Sequence, residues 1–567
     1  MKRAFATVVL LLIGLGAWAR YQGANAIPAI PMAHFMPQGA LLYLEGKDFA
    51  GLLSDWSGSP EKTAWLKSDN YEVFSRSRLF LRLQQAQQEF AAAAGVPTDT
   101  KFLQEVAGRR TALGIYDIGK LEMLYVTELP NARAMQSTIW QQRSKFEPRE
   151  AAGEKFFVRN DAQSGRTVAF AVYGDYLILG TRDDLVAGAL SALKGSQIAT
   201  LEQEKWFAEG IKSAKAWGDL RMVIHLEEVA KTPHFRSYWI QQNVTAMRSY
   251  RSGVSDLSRA PDEYREDRVL LAKKDFPTVD DKTIASLAQL APASTGYFSA
   301  EAAPKPEEIA RMIEQEILVP REGAVPPSQI APGVSLRDGT TGSATDLEQR
   351  IDVAPPAAHT NAAGGKALQS AIADNAPLAM LKVKRSESMP DGVFVRLNSA
   401  IVLVSSANWD ENKIRQAVQR ALGPSLTASS LGREWQTTGA AGRPYAELNG
   451  LLPIALTARG PYLFLSNDSA LLQELLGRLP QNSTPHNPAV YVAEFNHSQE
   501  RQNFYHLTSL LDKPSRSATG TERSPEFFSD NLESLSRSLG QNVVRESIEI
   551  SRTGSIERQT VRYQRQR

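Results

Sequence analysis

A recurrence constrains this chain more than any other feature. Residues 174–190 read GDYLILGTRDDLVAGAL and residues 460–476 read GPYLFLSNDSALLQELL. Gly174, Tyr176, Leu177, Leu179, Leu185 and Leu190 fall on Gly460, Tyr462, Leu463, Leu465, Leu471 and Leu476 at one offset of 286. Each copy has a glycine turn, a short apolar run, a polar turn and then apolar residues at helical spacing, which predicts strand, turn and amphipathic helix. The acids Asp183 and Asp184 of the first copy do not recur, since Ser469 and Ala470 stand in their place. They suit the positive end of a helix, with Asp184 as the N-cap, and the unit reads as a packing element rather than a site.

Reading outward from the two copies gives a shared order of elements. In the first half, strands are expected at 111–117, 121–128, 156–159, 167–173, 176–180 and 220–226. Helices are expected at 71–94, 132–143 and 184–193, and a hairpin at 254–272. The second half repeats this with a strand entry at 292–298, a helix at 306–317, a strand pair at 392–405 and a helix at 410–422. The 460–476 unit, a strand at 490–495 and a hairpin over 548–563 complete it. The offset grows from 255 at the strand entries to 286 at the recurring unit, a net insertion of 31 residues. Residues 319–366 carry six prolines and few large apolar residues, so they read as a disordered insertion. The expected organisation is a signal peptide over 1–26, a first α+β module over 27–275 and a second over 276–567, interrupted by that insertion. The expected fold class is α+β: two tandem related modules, each a mostly antiparallel sheet with helices packed on one face.

Lys2 and Arg3 precede an uncharged stretch over 4–19, and Ala24-Asn25-Ala26 offers a small-x-small cleavage site. That is the order of a secretory signal peptide, and sixteen residues fall short of the roughly 20 that span a bilayer. A periplasmic or otherwise extracytoplasmic location follows, with membrane contact only through this segment if it is retained. The chain has no cysteine, which removes disulfides, thiolate nucleophiles and cysteine-ligated metals. A net charge of +2 over 567 residues gives no reason to expect nucleic acid as a partner.

Pro37, Leu41, Tyr43, Leu44 and Glu45, the run 75–80 (SRSRLF) and Gly174-Asp175-Tyr176-Leu177 resemble a family of secreted bacterial proteins known only as a domain of unknown function. The resemblance implies an extracytoplasmic protein and carries no catalytic residues with it.

Among the seven histidines, His225 and His234 recur as His497 and His506 at an offset of 272, with Glu227, Glu228 and Glu500 nearby. A strand-end histidine, a second histidine and a carboxylate could share a metal. The apolar residues around them align better near 270, which makes half-buried or surface histidines the plainer reading. Ser59-Pro60-Glu61-Lys62 matches S-x-x-K and Ser68-Asp69-Asn70 matches S-D-N, but they lie too close together for a penicillin-recognising site and K-T-G is absent. No cofactor is implied by any motif. The sequence thus points to a non-catalytic envelope protein that binds a partner or ligand, with a groove between its modules as the candidate place. A hydrolase of an envelope polymer and a carrier of an apolar ligand are the alternatives.

Overall fold

The computed structural model describes residues 31–67, 71, 75–76, 78–214, 217–233, 247–318, 322–324, 362–388, 394–422, 434–439, 443–449, 453–479, 488–500 and 542–566. The signal peptide over 1–26, His234, His506, the S-D-N run and most of the 319–366 insertion lie outside them. Of that insertion, residues 322–324 form a strand and 362–366 open a helix. The chain divides into two compact units, residues 1–50 with 86–208 and residues 51–85 with 209–567.

In the first unit the apolar runs form β1 (Leu42–Gly46), β2 (Thr111–Asp117), β3 (Glu122–Glu128), β4 (Glu147–Ala151), β5 (Glu154–Asp161), β6 (Arg166–Tyr173) and β7 (Tyr176–Gly180). They pair in the order β1-β2-β3-β7-β6-β5-β4, and every pairing is antiparallel. Helix α1 (Arg78–Ala94), which enters this unit at Ala86, and α2 (Thr100–Val106) contribute Ala93, Phe102 and Val106 to a core with Val168, Phe170, Leu177 and Leu179. Helix α3 (Asp183–Leu193) lies on the opposite face, with Val186 against Gly180.

The second unit holds β8 (Leu220–Ile224), β9 (Tyr250–Arg259), β10 (Glu263–Ala272), β11 (Tyr297–Ala302), β12 (Glu322–Ala324), β13 (Pro377–Ser388) and β14 (Phe394–Ser405). It continues with β15 (Trp435–Thr438), β16 (Tyr445–Asn449), β17 (Pro453–Arg459), β18 (Tyr462–Ser466), β19 (Tyr491–Phe495), β20 (Val543–Thr553) and β21 (Ile556–Arg565). The antiparallel order is β8-β9-β10-β21-β20-β19-β11-β13-β14-β18-β17-β16-β15, with β12 beside the start of β14. Residues 209–275 therefore join the C-terminal hairpin through β10 and β21.

Helices cover both sheet faces, not one as the sequence suggests. In the second unit α4 (Asp281–Ala288) and α8 (Ser469–Gly477) pack on Ala379, Leu381, Val383, Val402 and Phe464. Helices α5 (Pro306–Ile313), α6 (Ala362–Ala373) and α7 (Glu411–Ala421) pack on Met380, Ile401, Leu403, Leu463 and Leu465. The physical reason is visible in β14, where 400–404 reads AIVLV without alternation, the pattern of a strand buried on both sides.

The strand order β2-β3-β7-β6-β5-β4 reappears as β13-β14-β18-β17-β16-β15, and local bonds reappear with it. Leu41 N donates to Ile115 O at 2.8 Å and Gly296 N to Lys384 O at 3.0 Å. Met123 N donates to Thr181 Oγ1 at 2.9 Å and Ser399 N to Asn467 Oδ1 at 2.7 Å. Gly174 and Gly460 turn into β7 and β18 with φ of 53° and 57°. The recurring helix starts differ from expectation. Arg182 is the N-cap of α3 and makes no side-chain capping bond, whereas Asp468 caps α8 through Ala470 N and Leu471 N. Asp183 and Asp184 occupy the first turn instead and pair with Arg149 and Arg182, both at 2.5 Å. The helix expected over 132–143 is broken into Asn131–Ala134 and Thr138–Gln141. Ser137 adopts an extended backbone between them and its hydroxyl donates to Ala134 O at 2.6 Å.

Two substitutions separate the contributions of turn and core. Nothing lies within 4 Å of a Cβ added to Gly174, so Gly174→Val is expected to cost about 1–2 kcal/mol from backbone strain alone. Leu465→Ala opens a cavity in a fully buried site and is expected to cost about 2–5 kcal/mol. Urea midpoints of the two variants check the order.

Candidate functional site

Strand β13 carries two lysines where a doubly covered strand calls for apolar residues. Lys382 and Lys384 are 2% and 3% exposed. Alternation places them on the face of Met380, which belongs to the core under α5, α6 and α7. Register sets Ser299 opposite Lys382 and Tyr297 opposite Lys384 on β11, and Ile401 and Ser399 opposite them on β14.

Each lysine faces a carboxylate. Lys384 Nζ lies 3.2 Å from Glu316 Oε2, and Lys382 Nζ lies 3.8 Å from Glu301 Oε1. Glu316 comes from a π-helical turn, Glu314–Leu318, that continues α5. Such turns are rare and concentrate at functional sites. Asn467, just past β18, donates from Nδ2 to Leu397 O at 3.2 Å and to Glu316 O at 3.4 Å, so it holds the π turn to the sheet. The hydroxyls of Ser299 and Ser399 are buried and, among the described residues, have no hydrogen-bond partner. A buried hydroxyl left without a partner costs about 1–3 kcal/mol.

The same face continues to Ser386, whose N–H and hydroxyl both donate to the Glu500 carboxylate. Glu500 is fully buried against Gly296, which leaves no room for a Cβ. Burial pushes its carboxyl above the ordinary range, and the two bonds from Ser386 work against that. The opposite face of β13 is a structural tie. Arg385 reaches Asp468 at 2.6 Å and Glu474 at 2.9 Å and so fixes both ends of the first turns of α8 to the strand.

The histidines proposed from sequence are placed as follows. Strands β8 and β19 start at Leu220 and Tyr491, an offset of 271, so His225 corresponds to Asn496 and His497 to Leu226. His225 precedes the short helix Leu226–Val229 and is half-buried. His497 is buried, its Nε2 3.3 Å from Glu546 Oε2 and its ring 4.7 Å from that of Phe495. Among the described residues no group of three or more His, Asp or Glu side chains is placed to hold a metal. The S-x-x-K run is a helix start, where Ser59 Oγ accepts from Lys62 N at 3.1 Å and donates to Trp56 O at 2.9 Å. Lys382, Lys384, Ser299 and Ser399 were not singled out by sequence. The one signal they leave is the run MLKVKR over 380–385, which alternates and reads as a strand with one wet face.

No family model matches the chain, and no curated protein matches it. Among solved structures it is similar to one described as crystal form I of TP0453, at 10% identity over 44% of this chain and 82% of that one, with a TM-score of 0.24. Among the described residues no helix is long and apolar enough to cross a membrane.

Two measurements probe the site. Lys384→Met leaves the Glu316 carboxylate without its cation and is expected to cost about 3–5 kcal/mol, while pairing it with Glu316→Leu restores most of the loss. A double-mutant cycle in urea checks this. Because the folded-state pKa of Glu500 is raised, its contribution to stability is full below the ordinary carboxylate value and is lost as pH rises through the folded value. Glu500→Gln is expected to flatten stability against pH in that window, which urea midpoints across a pH series would show.

Proposed function

We propose that this chain is a non-catalytic extracytoplasmic protein of the cell envelope, made of two related modules in tandem, and that the second module carries its ligand seat. The observation that carries this reading is a difference between equivalent sheet positions. Leu42, Leu44, Leu113, Ile115 and Met123 of the first unit take the lattice places of Tyr297, Ser299, Lys382, Lys384 and Ser399 in the second. The sheet accommodates apolar side chains at all five places in one case, so the polar set answers to something other than folding.

The recurring strand order, the paired backbone bonds and the two glycine turns support a duplication, and the 1–26 segment supports export. A binding role fits the polar set better than hydrolysis. A serine nucleophile beside a lysine needs the lysine free to act as a base, and each lysine here lies against a carboxylate. It also fits better than carriage of an apolar ligand, since the set is ionic.

Two tests follow. The exported chain is expected to begin at Ile27 by intact mass, and retention of residues 1–26 would contradict cleavage. The full-length chain is expected to rise in Tm with a low-molecular-weight polar fraction of a bacterial envelope, and Lys382→Met to lose that rise. A rise that persists in Lys382→Met, or none in the native chain, removes this seat.

A further inference from the structure

We propose that strand β15 is a docking edge for a second copy of this chain. Strands β4 and β15 hold the same place in the recurring strand order, each the last of its row. Among the described residues β4 pairs with β5 alone and β15 with β16 alone. Each therefore leaves the outward half of its backbone N–H and C=O groups without a ladder partner. An edge of that kind is a template for another strand unless it is blunted.

The two edges differ in how they are protected. Strand β4 reads EPREA. Pro148 has no N–H to offer, and Glu147, Arg149 and Glu150 set charges along the edge. Arg149 is held there by Glu147 and by Asp183 of α3. Strand β15 reads WQTT, with no charge, no proline and three residues that favour strands. Gln436, Thr437, Thr438 and the following Gly439 are exposed, while Trp435 packs against the core under α5, α6 and α7. That anchor and the ladder from Trp435–Leu448 to Thr438–Tyr445 hold the edge extended. A strand already extended loses little conformational freedom when another pairs with it.

Charge and symmetry select the occupant. A strand without charge can lie antiparallel to its own copy with no like charges opposed. A twofold axis normal to the sheet keeps each side chain on its face, so one residue must stand opposite itself, either Gln436 or Thr437. The second unit already contains an antiparallel junction between two hairpins, where β10 meets β21 with Asp267 opposite Thr560. Four residues bury far less than the roughly 1,200 Å² of a stable interface, so the pairing is reversible, with a dissociation constant on the order of 0.1–1 mM. This edge is separate from the ligand seat proposed above and does not rest on it.

The chain has no cysteine, so an introduced one reports a single contact. Full-length Gln436→Cys and Thr437→Cys chains are oxidised with diamide beside Thr553→Cys, an exposed position on β20. One edge variant is expected to form disulfide dimers about tenfold faster than Thr553→Cys, and which one does so fixes the register. Sedimentation velocity of the native chain, up to about 1 mM, is expected to show a dimer that grows with concentration. Thr437→Lys, which puts a charge on the edge as β4 does, is expected to stay monomeric with an unchanged Tm. A dimer that persists in Thr437→Lys overturns the proposal. So does a native chain that stays monomeric with neither edge cysteine cross-linking faster than Thr553→Cys, which leaves the edge to a different strand or to none.

Discussion

A strand covered by helices on both faces has no solvent side, and the second unit depends on that constraint. Over 379–384 β13 is buried on both faces, and a polar side chain there must find its partner inside the protein, because water is not there to supply one. Arg385 meets the rule with two carboxylates on α8, and Ser386 meets it with Glu500. Lys382 and Lys384 meet it through Glu301 and Glu316, the second delivered by a π turn that Asn467 anchors. The result is a strand whose two faces do different work. One fastens the recurring strand–turn–helix unit, and the other gathers ionic groups under the helices. On the neighbouring strands, the buried Ser299 and Ser399 hydroxyls have no hydrogen-bond partner among the described residues.

How much of this was legible in the sequence follows from the range of the forces involved. The unit at 174–190 and 460–476 was legible because its strand, glycine turn and helix are set by residues adjacent in the chain. The antiparallel pairing was legible from short turns between apolar runs. The placement of helices on both faces was not, because alternation reports which residues of a strand are apolar and not how many layers the chain folds over it. The run MLKVKR shows the same limit. Its lysines alternate with leucine and valine as they would on a solvated strand, and only the packing of α5, α6 and α7 turns that wet face into a buried one.

The histidines illustrate the converse. Their two pairs match at an offset of 272, but strands β8 and β19 are related by 271, and a slip of one residue along a strand moves a side chain to the other face. Asn496, not His497, stands where His225 stands. It accepts from Gln499 N at 3.1 Å and starts the short helix His497–Glu500, which carries Glu500 to Ser386. What recurs across the halves is therefore the backbone bonding at strand ends, while the side chains at matching sheet positions differ, apolar in one half and polar in the other.

The hairpins β9–β10 and β20–β21 nearly match in length and lie side by side in one sheet. They pair through β10 and β21, with Asp267 opposite Thr560 at the middle of the register and a 2.9 Å bond from the Thr560 hydroxyl to Asp267. The two residues are 293 apart, the same offset that carries Ser258-Arg259 onto Ser551-Arg552. Equivalent residues thus face each other, as they do across a local twofold. A single hairpin would present β10 or β21 as an open edge, ready to pair with any other strand. Here β10 and β21 close that edge against each other through their backbone hydrogen bonds.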